Sequence, residues 1–167
     1  TDFEPDIVVL KLGTNDSKPQ NWRHWMEYGD DLRDMINYFE GLPSKPRVHV
    51  CVPVPVYRDR WGINEKTVAG MVAKLTRGVA REEGIGWINT DTALRGHPEM
   101  FPDGIHPNAA GAKLMATVVA AALNTESEAA DRFELLDGDR VVFLGDGLIE
   151  QEQYFGWIEV MMTTAFP

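Results

Sequence analysis

The stretch Asp6-Ile-Val-Val-Leu-Lys-Leu-Gly-Thr-Asn-Asp16 decides how this chain folds. Its first half is a nearly continuous apolar run, which is typical of a strand buried on both faces of a parallel sheet. Gly13 then lets the backbone turn sharply, so we expect the strand to end there. Asn15 follows and carries an amide that can donate a hydrogen bond to an oxyanion. The alternative is a plain strand-ending turn, because Gly, Asn and Asp are common turn residues.

The rest of the chain alternates between short apolar runs and longer amphipathic segments. The pattern predicts further strands at residues 47–52, 85–89 and 140–144. It predicts helices over residues 30–42, from Asn64 or Thr67 to Glu83, and from an N-cap at Asn108 to Leu123. Strands that alternate with helices imply crossover connections, so we expect a parallel sheet with helices on both faces. In such sheets the functional residues gather at the carboxyl ends of the strands.

Composition narrows the range of partners. Lys and Arg number 16 and Asp and Glu number 26, which gives a net charge of −10. Nucleic acids and anionic membranes are bound through basic patches, so neither is expected as a main partner. The apolar runs are too short to cross a bilayer, so membrane insertion is not expected. The single cysteine, Cys51, excludes an intramolecular disulfide and a Cys-rich zinc site.

A second polar motif, Asp103-Gly-Ile-His-Pro107, directly precedes the last of these helices. An Asp three residues before a His, in a loop bounded by Gly and Pro, can fold back onto the imidazole. The carboxylate of Asp103 would then fix the tautomer of His106 and stabilise its charged form while the ring acts as a general base. The alternative is an exposed polar loop that only leads into the helix. The other three histidines show no ligand-like spacing with His106, so no metal site is expected.

These two motifs, in this order and about ninety residues apart, resemble those of the SGNH (GDSL) hydrolase family. The string Gly13-Thr-Asn-Asp-Ser-Lys-Pro-Gln-Asn-Trp22 is similar to its carbohydrate-esterase members, including sialate O-acetylesterase-like proteins. The resemblance covers about residues 5–123. It implies a three-layer α/β/α, flavodoxin-like fold and hydrolysis of a small-molecule or carbohydrate ester without a cofactor. It assigns Asn15 to the oxyanion hole, His106 to the general base and Asp103 to its partner.

The nucleophile is not accounted for by these motifs. In the family it is a serine in Gly-Asp-Ser, at the end of a first strand that lies upstream of the Gly-x-Asn-Asp block. Here a similar stretch, Arg140-Val-Val-Phe-Leu-Gly-Asp-Gly147, follows the last block instead. Gly147 stands at the nucleophile position and cannot form an acyl intermediate. None of the three serines, Ser17, Ser44 and Ser127, lies where the family places its nucleophile.

Two explanations fit this order of blocks. In the first, the chain is an excerpt of a tandem protein, with the back part of an esterase domain at 1–123, an acidic linker at 124–139 and the start of a second domain at 140–167. In the second, the fold is circularly permuted and residues 140–144 complete the same sheet. Both explanations predict a buried strand at 140–144. Only the second predicts that Gly147 lies within reach of His106 and Asn15, and a second copy of the chain could also complete the sheet.

The sequence therefore predicts an SGNH-type ester hydrolase whose serine is not found in this chain. The alternative is a binding or structural module that has kept the fold and lost the nucleophile. A third reading, phosphate binding at residues 144–147, lacks the Lys and Ser or Thr of a P-loop.

Three tryptophans, Trp22, Trp25 and Trp61, follow strand ends on the expected active-site side. Aromatic side chains can stack on sugars, although packing is their commoner role. Trp22 belongs to the string that resembles carbohydrate esterases, so it is the residue expected to contact substrate. Relatives of this type are often exported, which favours a secreted or periplasmic protein.

Overall fold

The computed structural model describes residues 4–125 and 140–145, and within these residues four parallel strands form one sheet. The strands are β1 (Ile7–Lys11), β2 (Arg47–Cys51), β3 (Gly86–Ile88) and β4 (Val141–Gly145). Their order across the sheet is β3-β2-β1-β4. The strand that opens the chain, β1, therefore lies between two others, which fits its continuous apolar sequence.

Helices connect the strands in the predicted order. They are α1 (Pro19–Trp22), α2 (Tyr28–Glu40), α3 (Glu65–Thr67), α4 (Ala73–Glu83), α5 (Thr90–Leu94) and α6 (Ala109–Thr125); a π-helical segment, Val68–Val72, joins α3 to α4. Asn64 caps α3 by accepting a hydrogen bond from the backbone N–H of Thr67, and Gly84 ends α4 in the left-handed conformation. None of the helices in this part of the chain is long and apolar enough to cross a membrane.

The sheet lies between two helical layers. On one face, alternate residues of β1 and β2 pack against α2 and α4; the buried residues there are Val8, Leu10, Leu32, Ile36, Val48, Val50, Val79 and Ala80. On the other face, the sheet packs against α6; the buried residues there are Ile7, Val9, Cys51, Ile88, Val119 and Leu123. Burying one aliphatic side chain of this size stabilises a fold by about 1.5–3 kcal/mol. The arrangement is the three-layer α/β/α fold that the resemblance implies.

The strand β4 pairs in parallel with β1 over its whole length, from Ile7 opposite Val141 to Lys11 opposite Gly145. Within the described residues it has a neighbour on one side only, and it is less buried than predicted. Val141 is half-buried, whereas Leu144 and Gly145 are exposed, because the helices cover mainly the first part of the strand. Gly147 and residues 126–139 lie outside the described residues. The division of the chain into domains therefore stays a prediction.

Several predicted boundaries shift by one or two residues. The helix α2 begins at Tyr28 instead of residue 30, and β3 is limited to Gly86–Ile88. The helix α6 continues to Thr125, so the first two residues of the predicted linker are helical. Such shifts are expected because helix ends fray and depend on tertiary contacts that hydrophobic periodicity does not register.

Candidate active site

The loops that follow β1 and β2, together with the loop before α6, meet at the carboxyl edge of the sheet. They line a cavity of about 470 Å³, called here the His106 cavity. Its walls include Asn15 and Lys18 from the first loop, Gln20 from α1, Trp61 from the second loop and His106 from the third. The structure thus brings Asn15 and His106, predicted from separate motifs, to one cavity at the expected edge.

Asp103 and His106 form a hydrogen-bonded pair. The Oδ2 atom of Asp103 lies 2.7 Å from Nδ1 of His106, while its Oδ1 atom accepts the backbone N–H groups of Ile105 and His106 at 2.9 and 2.7 Å. Partial burial by itself raises the pKa of Asp103, but the hydrogen bonds from His106 and Ile105 outweigh it and lower that pKa to about 2. The carboxylate therefore stays ionised at neutral pH, and in the neutral ring Nδ1 carries the proton.

Gly104 allows the loop of this pair to fold tightly. It has a φ of +85°, and a Cβ atom at this position would lie 2.4 Å from Cβ of Arg58. Its carbonyl accepts a hydrogen bond of 2.8 Å from the backbone N–H of Tyr57. The loop after β2 thus holds the loop that carries Asp103 and His106.

Tyr57 strengthens the same junction with its side chain. Its hydroxyl donates to the carbonyl of Leu94 at 2.7 Å and accepts the backbone N–H of His97 at 2.9 Å. Its ring packs on Phe101, with centroids 5.0 Å apart. The side chain of Tyr57 therefore ties the loop after β2 to residues 94–101, the segment that leads to the Asp103–His106 pair.

The turn after β1 presents Asn15 to the cavity. Gly13 has a φ of +108°, and its N–H donates to Oδ2 of Asp16 at 3.0 Å. The side-chain amide of Asn21 donates to the carbonyl oxygen of Asn15 at 3.0 Å, which holds the backbone of that residue. A side chain at position 13 would clash with Val72, so the glycine is required by packing as well as by φ.

The serines of the described residues do not provide a nucleophile in this cavity. Ser17 is buried, and its hydroxyl donates a 2.6 Å hydrogen bond to the carbonyl of Thr14. Ser44 lies between α2 and β2, at the amino edge of the sheet and away from His106. Ser127 and Gly147 lie outside the described residues.

Trp22 lies in a different cavity from His106. This second cavity, of about 110 Å³, is called here the Trp22 cavity; its lining includes Trp22, Trp25 and Tyr28. The rings of Trp22 and Tyr28 are 5.9 Å apart between centroids. The structure therefore does not place Trp22 beside His106. The expectation that Trp22 contacts substrate stays a prediction.

The tryptophan beside His106 is Trp61, whose ring centroid lies 5.7 Å from that of the imidazole. Trp61 and Gly62 are the central residues of a two-residue turn closed by Arg60 and Ile63. Both central residues have positive φ, +52° and +81°, as in type I′ turns. For a bulky residue such as Trp this backbone conformation is strained, at a typical cost of about 1–3 kcal/mol.

Lys18 and Gln20 are cavity residues that the sequence reasoning did not single out, because isolated polar residues at the start of a four-residue helix carry no pattern of their own. Both lie within the string that resembles carbohydrate esterases, and that is the signal that could have found them. In the described part of the chain, no group of three or more His, Cys, Asp or Glu side chains could hold a metal ion.

Comparisons with known proteins identify similar sequences. A family model described as "GDSL-like Lipase/Acylhydrolase family" matches residues 1–114. An acetylxylan esterase of Xylanibacter ruminicola is 35% identical over 139 residues, which cover 72% of this chain and 29% of that protein. The chain thus spans less than a third of the length of this curated relative.

Two solved structures share the fold. Axe2, an acetylxylan esterase from Geobacillus stearothermophilus, superimposes with a TM-score of 0.56 at 19% identity, over 71% of this chain and 59% of that one. LAE5, an alpha/beta hydrolase enzyme from the metagenome of Lake Arreo in Spain, gives a TM-score of 0.53 at 24% identity, over 71% of this chain and 60% of that one. At these identities the likeness concerns the fold alone.

Proposed function

The chain belongs to the GDSL-like lipase and acylhydrolase family, and on this premise we propose that it forms most of an esterase domain that removes acetyl groups from a carbohydrate. The observation that carries the proposal is the Asp103–His106 pair, hydrogen-bonded at 2.7 Å, in a cavity that Asn15 also lines. The identity to an acetylxylan esterase supports an acetylated polysaccharide as the substrate class.

In this proposal His106 is the general base. Asp103 holds the proton on Nδ1, so the neutral ring accepts a proton at Nε2. His106 takes the proton of an attacking serine hydroxyl as that oxygen bonds to the acetyl carbon, and it gives the proton to the sugar oxygen as the bond between the sugar oxygen and the acetyl carbon breaks. Water then releases acetate from the serine by the same two proton transfers. The ionised carboxylate of Asp103 stabilises the imidazolium between these two steps. A positioned base of this kind accelerates a reaction by about 10²–10⁴-fold.

Asn15 supplies one donor of the oxyanion hole. As the nucleophile adds to the acetyl carbonyl, the carbonyl oxygen gains negative charge, and a fixed amide N–H lowers the energy of that state. Removal of one such donor costs about 10²–10³ in kcat in well-studied acyl-transfer enzymes. The hydrogen bond from the side-chain amide of Asn21 to the backbone carbonyl of Asn15 supports this role because it restrains Asn15 before substrate binds.

We further propose that Gly147 occupies the place of the missing nucleophile. The pairing of β4 with β1 supports this, because Gly145 lies opposite Lys11 and the chain thus leaves β4 at the same edge at which β1 ends. Gly147 is two residues further along the sequence. The proposed reaction then needs a serine that this chain does not carry at position 147, and the alternative function is a module that binds its substrate without turnover.

The test compares the chain with its Gly147→Ser variant on an activated acetate ester, p-nitrophenyl acetate. We expect little or no hydrolysis by the parent and measurable hydrolysis by the variant, lost again when His106→Ala is added. Equal rates for the parent and the Gly147→Ser variant would contradict the assignment of Gly147. Robust turnover by the parent that survives Ser17→Ala and disappears in His106→Ala would contradict the need for a serine.

A further inference from the structure

We propose that Trp61 is the residue that contacts the sugar in the His106 cavity, where its indole packs against the pyranose ring that carries the acetyl ester. This proposal rests on the proposed function and names the side chain that would recognise its carbohydrate. It differs from the sequence-based expectation, which selected Trp22.

Trp61 is unfavourable in both its solvent exposure and its backbone conformation. Its side chain is 54% exposed, although an indole is largely apolar, and its φ of +52° is a conformation that bulky residues rarely adopt. Asn or Gly at this position would suit the turn better, since type I′ turns favour Asn-Gly and Gly-Gly. Strained residues that persist in a fold cluster at functional sites.

The turn that carries Trp61 is held by contacts with neighbouring residues. Gly62 packs so closely on Pro19 of α1 that a Cβ atom would lie 2.4 Å from the proline ring. The guanidinium of Arg60 lies over the indole, 4.3 Å from its centroid. The turn thus packs on α1 through Gly62, while Arg60 covers the indole, whose ring is tilted by 55° to the imidazole of His106.

The side chains around the indole match the two kinds of surface that a sugar presents. The cavity combines the indole with hydrogen-bonding side chains, Lys18 and Gln20, and with the aliphatic side chains of Ile63 and Ile105. A pyranose has an apolar face of C–H groups and a rim of hydroxyls, so it matches both kinds of surface. An acetyl group on such a ring would reach His106, whose centroid is 5.7 Å from the indole.

Binding of unacetylated xylotriose to the full chain tests the proposal without any need for a nucleophile. We expect its addition at millimolar concentration to shift the indole N–H resonance of Trp61 in a ¹H–¹⁵N NMR spectrum. The Trp61→Asn variant keeps a turn-compatible residue before Gly62, so it should fold with an unchanged or higher Tm. It should nevertheless bind xylotriose about five- to tenfold more weakly.

The matched control is Trp87, which is 41% exposed on β3 and does not line the His106 cavity. The Trp87→Thr variant should bind xylotriose as the parent does. The proposal is overturned if xylotriose leaves the Trp61 resonance unchanged, if Trp61→Asn binds as tightly as the parent, or if both variants weaken binding equally. A fall in Tm of Trp61→Asn with unchanged binding would show a purely structural role.

The failure of the proposed function can be told apart from the failure of this inference. If the Gly147→Ser variant releases no acetate while xylotriose binding depends on Trp61, the proposed reaction is wrong and the sugar site stands. If that variant releases acetate from p-nitrophenyl acetate but Trp61→Asn binds xylotriose normally, the reaction stands and the sugar site is wrong.

Discussion

The His106 cavity and the Trp22 cavity border the same loop after β1, yet they are built differently. In the His106 cavity a strained, half-exposed tryptophan lies beside a histidine whose Nδ1 is bound by a carboxylate. In the Trp22 cavity the tryptophan packs on Tyr28, on a helix of the core. Similar residue types therefore have different surroundings in the two cavities, and we expect recognition in the first cavity and packing in the second.

The histidines of the two cavities show the same contrast. His24 lies 3.5 Å from Glu27, and both side chains are more than half exposed, so water screens their interaction. Asp103 instead holds His106 at 2.7 Å while two backbone N–H groups fix its other oxygen. The arrangement at His106 gives its imidazole a defined orientation and tautomer inside a cavity, whereas the contacts of His24 with Glu27 and Arg23 lie at the exposed surface. Four experiments test this contrast.

The largest effect is expected from the histidines. In the Gly147→Ser background, His106→Ala should lower acetate release by about 10³-fold or more, because the base is lost. His24→Ala is the matched control in the Trp22 cavity and should change the rate less than about twofold. Steady-state hydrolysis of p-nitrophenyl acetate measures both. Similar losses in the two variants would show that hydrolysis depends on His106 no more than on His24.

The carboxylate of Asp103 gives the next effect, through pH. Its pKa of about 2 lies below its ordinary value of 3.8, so the charged form stabilises the fold above about pH 4 and this contribution is lost as the pH falls toward 2. Asp103→Asn should therefore lower the Tm at pH 5 and flatten its decline between pH 4 and 2. Thermal melts across this range test it, with Asp31→Asn in the Trp22 cavity as control. An unchanged decline in Asp103→Asn would contradict the assigned pair.

Trp22 tests the packing side of the comparison. Trp22→Ala removes the contact with Tyr28 and should lower the free energy of unfolding by about 1–3 kcal/mol, as a half-buried aromatic residue would. We expect xylotriose affinity to remain close to that of the parent. Urea unfolding and NMR titration measure the two quantities. Loss of affinity with unchanged stability would restore Trp22 as the sugar-binding residue.

Two tyrosine hydroxyls give the last comparison, in which Tyr28→Phe has the smallest expected effect. Tyr57→Phe leaves the backbone groups of Leu94 and His97 without their partner and should cost about 1–3 kcal/mol. Tyr28→Phe removes one hydrogen bond to Thr76, whose hydroxyl still bonds Val72, so about 0.5–1.5 kcal/mol is expected. Only Tyr57→Phe should also disturb His106, seen as a shift of its ring resonances. Equal shifts in both variants would mean that Tyr57 gives no specific support to the loop that carries Asp103 and His106.

Much of the fold could be predicted because its signals are local. The apolar run of β1, the amphipathic spacing of α2 and the stop at Gly84 each depend on neighbours along the chain. The degree of burial of β4 could not be predicted, since its apolar sequence is compatible with an inner or an outer strand. Its exposed end reflects how far the helices extend over that side of the sheet.

The parts of the candidate site whose geometry is short-range follow from the sequence alone. Asp103 reaches His106 because only Gly104 and Ile105 lie between them in one tight turn, and Asn15 reaches the sheet edge because a buried strand ends just before it. Which tryptophan lies beside the imidazole depends instead on long-range packing. Trp61 and His106 are brought together by the packing of Gly62 on Pro19 and of Gly104 on Arg58. Those contacts join segments far apart in the chain, and no local pattern of residues specifies them.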